Sequence, residues 1–155
     1  MLEETTHIEY VPTYLGFREC PTYLKLINKY EDQNPKIDLF MVDGNGVYHP
    51  RNCGSATHLG VLLNRPTIGI SKNFLSWDNM DREMFNLKHP PFDYKERIAS
   101  RCFGKSTKPI FISVGHRISL KTAVRITERT CNYRIPEPIR ISDIESRRML
   151  REGKK

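Results

Sequence analysis

Apolar positions along the 155-residue chain alternate between helical spacing and short continuous runs. Spacings of three and four predict a helix over residues 19–30, with Pro21 in its first turn, and a second helix whose apolar stripe ends at Leu63. The same spacing predicts a third helix over residues 119–132, with Ser119 as its N-cap, and a last helix after Pro138. Short apolar runs predict strands over residues 37–42, 67–70 and 109–114.

The order of these elements determines the predicted fold class. Strands that alternate with helices favour an α/β layered domain with parallel strand pairing. Residues 71–108 follow no clear period, and His89-Pro90-Pro91 interrupts them, so we predict a partly helical, loop-rich excursion there. A length of 155 residues suits one domain over 1–155, which buries roughly two-thirds of its unfolded surface.

The sequence offers no membrane segment and no cysteine motif. No apolar run approaches the ~18 residues needed to span a bilayer, and residues 1–6 lack the basic and apolar regions of a signal peptide. We therefore expect a soluble intracellular chain without a membrane partner. The cysteines are widely spaced and form no Cys-x-x-Cys pair, which predicts reduced, partly buried thiols; they are Cys20, Cys53, Cys102 and Cys131.

The net charge of +7 is concentrated near the end of the chain. From Arg117 onward there are eleven Lys and Arg residues and five Asp and Glu residues, a balance of +6. Lys121, Arg125 and Arg129 repeat every four residues, on a different face of the predicted third helix from its apolar positions. A basic face of this kind favours a polyanion, most commonly nucleic acid. A solvated helix face is an equally good interpretation of charge alone.

The segment Ile37–Pro50 carries the most informative chemistry. Its apolar run ends on Asp43, and Gly44 and Gly46 follow at once, so one carboxylate and bare backbone lie together at the carboxyl end of a strand. In open α/β sheets ligands bind outside the carboxyl ends of strands. The same residues also suit an ordinary strand-to-turn junction, in which Asp43 and Asn45 only hydrogen-bond a tight turn.

Acidic and histidine residues offer candidates for a metal-dependent phosphodiester cleavage site. Asp43, Glu19 and Asp143 lie at a strand end and near two helix starts, and Mg²⁺ takes oxygen ligands of this type. Surface or helix-terminal carboxylates are the alternative interpretation. His49, in the loop after Asp43, is the histidine best placed to contact a phosphate or the attacking water.

Several consecutive motifs resemble the endonuclease V family, most closely its animal members. They cover about residues 8–72 and 105–150, and their number and order make the resemblance far more specific than any single motif. The motifs are Glu9-Tyr10-Val11-Pro12-Thr13-Tyr14-Leu15-Gly16-Phe17-Arg18-Glu19, Met41-Val42-Asp43-Gly44-Asn45-Gly46, His58-Leu59-Gly60-Val61-Leu62-Leu63, Pro66-Thr67-Ile68-Gly69-Ile70, Val114-Gly115-His116-Arg117-Ile118-Ser119-Leu120 and Arg134-Ile135-Pro136-Glu137-Pro138-Ile139-Arg140.

The resemblance implies a ribonuclease-H-like fold and Mg²⁺-dependent cleavage, with Mn²⁺ as a substitute, of inosine-containing single-stranded RNA or DNA. The cut falls at the second phosphodiester bond 3′ to the inosine, and animal members prefer RNA. The resemblance also implies a monomer, if the protein is complete, located in the cytoplasm and the nucleus or nucleolus.

The resemblance further assigns roles to residues of this chain. Glu19 and Asp43 match metal-binding carboxylates, and Asp143 matches a further acidic or histidine position at the site. Tyr10 matches an aromatic wedge that separates strands, and backbone groups of the base pocket read the hypoxanthine edge. The pocket wall is assigned to Leu15, Gly44, Gly46, Gly54 and Ser55, and His49 and Lys72 are assigned to the neighbourhood of the scissile phosphate.

The chain also departs from the family pattern. Family members have three strands before the wedge motif, and the first carries an aspartate that binds the metal. We therefore expect an N-terminally truncated member that lacks these strands, has an unpaired sheet edge and shows little or no activity alone. Thr13 replaces a usual glycine and is expected to narrow the pocket. A catalytically dead nucleic-acid-binding module is the alternative function.

Overall fold

The computed structural model describes residues 7–76 and 92–153. This part of the chain contains five strands and four helices. The helices are α1 (Leu15–Glu31), α2 (Ser55–Leu63), α3 (Leu120–Thr130) and α4 (Glu137–Glu152). The strands are β1 (Phe40–Asp43), β2 (Thr67–Ser71), β3 (Phe92–Tyr94), β4 (Ile98–Arg101) and β5 (Ile110–His116).

The strands form one mixed sheet in the order β1-β2-β5-β4-β3. Of the strands in the described residues, only β1 and β2 pair in parallel, with Asp43 opposite Ile70, whereas β2–β5, β5–β4 and β4–β3 are antiparallel. Among the strands that the sequence predicted, parallel pairing is therefore right for β1–β2 and wrong for β2–β5. Strands β3 and β4, which the sequence did not predict, form a hairpin, and a tight turn joins antiparallel strands without a crossover helix.

Helices cover both faces of the sheet. Met41 of β1 packs with the cluster that includes Leu120 and Val124 of α3, whereas the next residue, Val42, packs with Cys20 of α1 and with α2. Because successive side chains of a strand point to opposite faces, α3 and α4 lie on one face and α1 and α2 on the other. The sheet is thus the middle of three layers.

Most predicted elements are present with shifted ends. The N-cap prediction for α3 is confirmed, since the Ser119 hydroxyl accepts a hydrogen bond from Thr122 N at 3.2 Å. Helix α1 begins four residues earlier than predicted, so Pro21 lies in its second turn rather than its first. Strand β1 begins only at Phe40, because the chain at Ile37 instead donates its N–H to Glu31 Oε1 at 2.8 Å.

The excursion predicted over residues 71–108 differs from the structure where it is described. Residues 92–101 form the β3–β4 hairpin and contain no helix, and residues 77–91 lie outside the described part. The turn between the two strands places Lys95 and Glu96 at φ angles of 47° and 53°. The sequence carries no glycine at this turn, so the hairpin lacks its usual sequence signal. Within 7–76 and 92–153, no helix has both the length and the apolar character needed to cross a membrane.

Candidate nuclease site

The loop after β1 that contains Gly44 and Gly46, here called the glycine loop, is fixed to β5 by two hydrogen bonds. Gly46 N donates to Ser113 Oγ at 2.6 Å, and Val47 N donates to the Val114 carbonyl at 2.7 Å. A Cβ atom at Gly46 would lie 1.9 Å from the Val114 carbonyl oxygen. Glycine is therefore required here because two backbone segments are in contact.

Glu19 and Asp43 lie close together at the carboxyl end of β1. Burial raises the pKa of Glu19, a hydrogen bond with Tyr23 opposes this shift, and the negative charge of Asp43 raises the pKa further. Within the described residues, Glu19 Oε2 is buried and has no hydrogen-bond partner. An unpartnered carboxylate oxygen beside a second carboxylate is an arrangement that a divalent cation would stabilise.

Lys72 contacts one of the two carboxylates, and His49 lies buried in the loop that follows β1. Lys72 Nζ forms an ion pair with Asp43 Oδ2 at 2.7 Å, so Lys72 does lie next to the acid. His49 is 5% exposed, and its Nδ1 accepts a hydrogen bond from Arg51 N at 3.3 Å. Burial, together with the charge of Arg51, lowers the pKa of His49 and favours the neutral imidazole.

Asp143 lies in a different environment from Glu19 and Asp43. It lies on α4, and its Oδ1 accepts a hydrogen bond from Arg147 Nε at 3.0 Å. Across 7–76 and 92–153, no three His, Cys, Asp or Glu side chains converge as a metal-binding group. The structure therefore brings Glu19 and Asp43 together and gives Asp143 an arginine partner on its own helix.

A pocket of about 530 Å³ opens beside the glycine loop. Its size suits a small organic group such as a nucleobase. Tyr10, at the mouth, is 63% exposed. Four of the residues predicted to form the pocket wall do line it, namely Leu15, Gly44, Gly54 and Ser55. His49 lines the pocket as well. Gly46 is not among the lining residues, and it instead shapes the loop through its bond to Ser113.

Sequence reasoning missed several residues that build this site. Phe17 and His58 stack edge to face with their ring centroids 4.8 Å apart and form one wall of the pocket. Tyr23 contacts Glu19 from one helical turn away, a spacing of four that the sequence does contain. Ser113 and Arg51 reach the site through tertiary contacts, for which the sequence carries no local signal.

The sheet, its two helical layers, the neighbouring carboxylates of Glu19 and Asp43 and the pocket lined by Gly44 define a mixed α/β nuclease-like domain, in agreement with a ribonuclease-H-like architecture. The Endonuclease V family model matches residues 1–144. The chain therefore belongs to the endonuclease V family.

Curated relatives support this assignment. The chain is 41% identical to endonuclease V of Mus musculus over 158 residues, covering 92% of this chain and 47% of the mouse protein. It is 39% identical to endonuclease V of Homo sapiens over 160 residues, covering 93% of this chain and 57% of the human protein. The chain thus spans about half the length of these relatives.

Solved structures of the family have the same fold. The crystal structure of human endonuclease V superposes with a TM-score of 0.84 at 36% identity, covering 97% of this chain and 70% of that one. Endonuclease V of Ciona intestinalis, in complex with a 24mer DNA containing an inosine followed by a ribo-adenosine, has a TM-score of 0.84 at 31% identity. That match covers 96% of this chain and 70% of the Ciona chain.

Proposed function

We propose that this chain forms the base pocket and part of the catalytic centre of a metal-dependent endonuclease that cleaves inosine-containing RNA or DNA at the second phosphodiester bond 3′ to the inosine. The observation that carries the proposal is Glu19 Oε2, which is buried beside Asp43 and has no hydrogen-bond partner among the described residues. Asp43 directly precedes Gly44, which lines the pocket. Carboxylates together with a pocket of nucleobase size provide both the chemistry and the recognition that such a reaction needs.

The metal is assigned to the two neighbouring carboxylates. Glu19 and Asp43 would hold Mg²⁺, or Mn²⁺ as a substitute, and the ion when bound activates water and neutralises phosphate charge. Lys72 is within reach of the same phosphate because its ammonium group already contacts Asp43. Because His49 is neutral and its Nδ1 accepts from Arg51 N, its Nε2 carries the proton and is suited to donate a hydrogen bond to a phosphate oxygen.

Base recognition is assigned to the glycine loop and the aromatic side chains. The backbone of Gly44 and Gly54 lines the pocket, and a nucleobase turned out of its stack needs such close approach to main-chain donors and acceptors. Tyr10 is exposed at the mouth, where an aromatic ring can stack on a neighbouring base. The exposed Lys121, Arg125 and Arg129 on α3 add positive charge for the phosphate backbone.

A nucleic-acid-binding module without cleavage is the second candidate. It is favoured by one observation, that only two carboxylates converge at the site among residues 7–76 and 92–153. Such a module would retain the pocket and the basic surface, and would still prefer inosine over adenosine.

The test compares four oligonucleotides, RNA and DNA with either inosine or adenosine at one position. Binding is measured with EDTA, and cleavage is measured with Mg²⁺, Mn²⁺ or EDTA. We expect inosine-dependent binding and a small amount of metal-dependent product, both retained in the control Asp38→Asn, whose carboxylate is exposed before β1. Asp43→Asn should abolish the product and retain binding.

The outcomes distinguish the two candidate functions and test the role of Asp43. Inosine-dependent binding without product in any metal would select the binding module. Equal binding of inosine and adenosine strands would contradict both candidates. Product formation that persists in Asp43→Asn would show that Asp43 is not a catalytic residue.

A further inference from the structure

The segment Ile8–Tyr14 contributes Tyr10, Thr13 and Tyr14 to the lining of the pocket and is held near each end by an arginine. Arg18 Nη1 donates to the Ile8 carbonyl at 3.1 Å. Arg51 Nη2 donates to the Thr13 carbonyl at 2.5 Å and also to the Thr13 hydroxyl. The Arg51 guanidinium additionally lies 3.6 Å from the centroid of the Tyr14 ring. Because Arg51 comes from the loop after β1, this contact joins the two sides of the pocket mouth.

Thr13 occupies a backbone conformation that is unfavourable for its side chain. Tyr14 N donates to the Val11 carbonyl at 3.0 Å and closes a four-residue turn, with Pro12 second and Thr13 third. Thr13 has a φ of 68°, the sign that a type II turn requires at its third position and that normally selects glycine. A β-branched residue at positive φ is an outlier, and such strain persists only where surrounding contacts enforce it.

The arginine contact explains how the strained residue is retained. Glycine would relieve the backbone strain, but it would remove the hydroxyl that accepts the Arg51 hydrogen bond. A hydrogen bond to a charged donor is stronger than one between neutral groups, so it can offset part of the cost of the turn. Thr13 and Arg51 both line the pocket, and the segment between Ile8 and Thr13 carries the exposed Tyr10.

We propose that the Thr13 hydroxyl and the Arg51 guanidinium form a latch that positions the Ile8–Tyr14 segment over the base pocket and prolongs the binding of an inosine-containing strand. Thr13 is thereby a positioning residue that sets specificity. This inference rests on the proposed function, because the latch is assigned to recognition of the base. It predicts that loss of the hydroxyl speeds release of the inosine strand and leaves adenosine strands unaffected.

Four variants separate the hydroxyl from the backbone conformation. Thr13→Val keeps the shape and removes the hydroxyl, whereas Thr13→Ser keeps the hydroxyl. Thr13→Gly removes both the strain and the hydroxyl, and is expected to fold at least as well as the parent chain. Arg51→Lys removes the forked donor while keeping the charge. All four are compared with the parent chain in EDTA, so that no strand is cut.

Two measurements are made on each variant. Amide hydrogen exchange of residues 8–14 reports the latch in the free protein, and stopped-flow release of fluorescent RNA reports its effect on binding. We expect Thr13→Val, Thr13→Gly and Arg51→Lys to exchange faster and to release inosine RNA about tenfold faster, the size expected for one lost hydrogen bond to a charged group. Thr13→Ser should behave like the parent chain.

The outcomes distinguish the latch from the function on which it rests. Equal release of inosine and adenosine RNA by the parent chain would contradict the proposed function. A parent chain that discriminates, with Thr13→Val matching it in exchange and release, would overturn the latch. Thr13→Ser failing as fully as Thr13→Val would also overturn it, because the backbone conformation would then matter and the hydroxyl would not.

Discussion

Two buried serines on neighbouring strands provide a sharp test of how the glycine loop is held. Ser113 Oγ on β5 accepts the hydrogen bond of Gly46 N at 2.6 Å, and Ser113 is 1% exposed. Ser100 on β4 is also fully buried, but its hydroxyl has no hydrogen-bond partner in the described part of the chain. The same substitution, Ser to Ala, should therefore lower the unfolding free energy at Ser113 but not at Ser100.

The magnitude follows from what each change leaves behind. Ser113→Ala leaves the buried Gly46 N–H without an acceptor, which costs about 1–3 kcal/mol of unfolding free energy. A loss near 2 kcal/mol lowers the Tm of a domain of this size by about 4–8 °C. Ser100→Ala removes an unsatisfied hydroxyl, so the unfolding free energy should stay constant or rise.

Urea denaturation followed by circular dichroism measures both effects. The midpoint should fall for Ser113→Ala with an unchanged m-value, because the area exposed on unfolding hardly changes. A Ser113→Ala chain within about 0.5 kcal/mol of the parent, the range of neutral surface changes, would refute the proposed anchoring. An equal loss of unfolding free energy in Ser100→Ala would show that replacing any buried serine of this sheet destabilises the chain by the same amount.

Two further predictions concern a backbone contact and an ion pair. Gly46→Ala should leave the chain largely unfolded, as measured by circular dichroism, because its Cβ would overlap the Val114 carbonyl at 1.9 Å. The hydrogen bonds of Glu31 with Arg65 and with Ile37 N lower the pKa of Glu31 to about 2, from 4.5 in the unfolded chain. A lowered pKa stabilises the folded state above pH 4.5, so the stability from Glu31 should disappear as the pH falls toward 2.

Matched controls accompany both predictions. Gly153→Ala is the control for Gly46→Ala, since a Cβ atom at Gly153 would come no closer than 3.4 Å to another atom. A folded Gly46→Ala chain would show that the loop can move away from β5. For the ion pair, Glu31→Gln should flatten the dependence of the urea midpoint on pH between 4.5 and 2. An unchanged pH profile would exclude Glu31 as its source.

The sequence alone determined the local elements and the chemical character of the glycine loop. Helical spacing indicated α1, α2 and α3, and apolar runs indicated β1, β2 and β5, because these patterns depend on neighbours along the chain. Ser119 could be assigned as a cap for the same reason. The resemblance of its motifs pointed to the endonuclease V family, whose model matches residues 1–144.

Only the tertiary structure decided how these parts meet. The antiparallel pairing of β5 with β2 and β4 depends on contacts between separate segments of the chain. The β3–β4 hairpin has no glycine in its turn, so the sequence did not predict it. The Arg51–Thr13 contact spans 38 positions, and the bond from Gly46 to Ser113 spans 67. Periodicity reports burial and local spacing, but it does not report which distant residues become partners. For that reason the sequence located Asp43 and its glycines, and the fold alone showed what holds them in place.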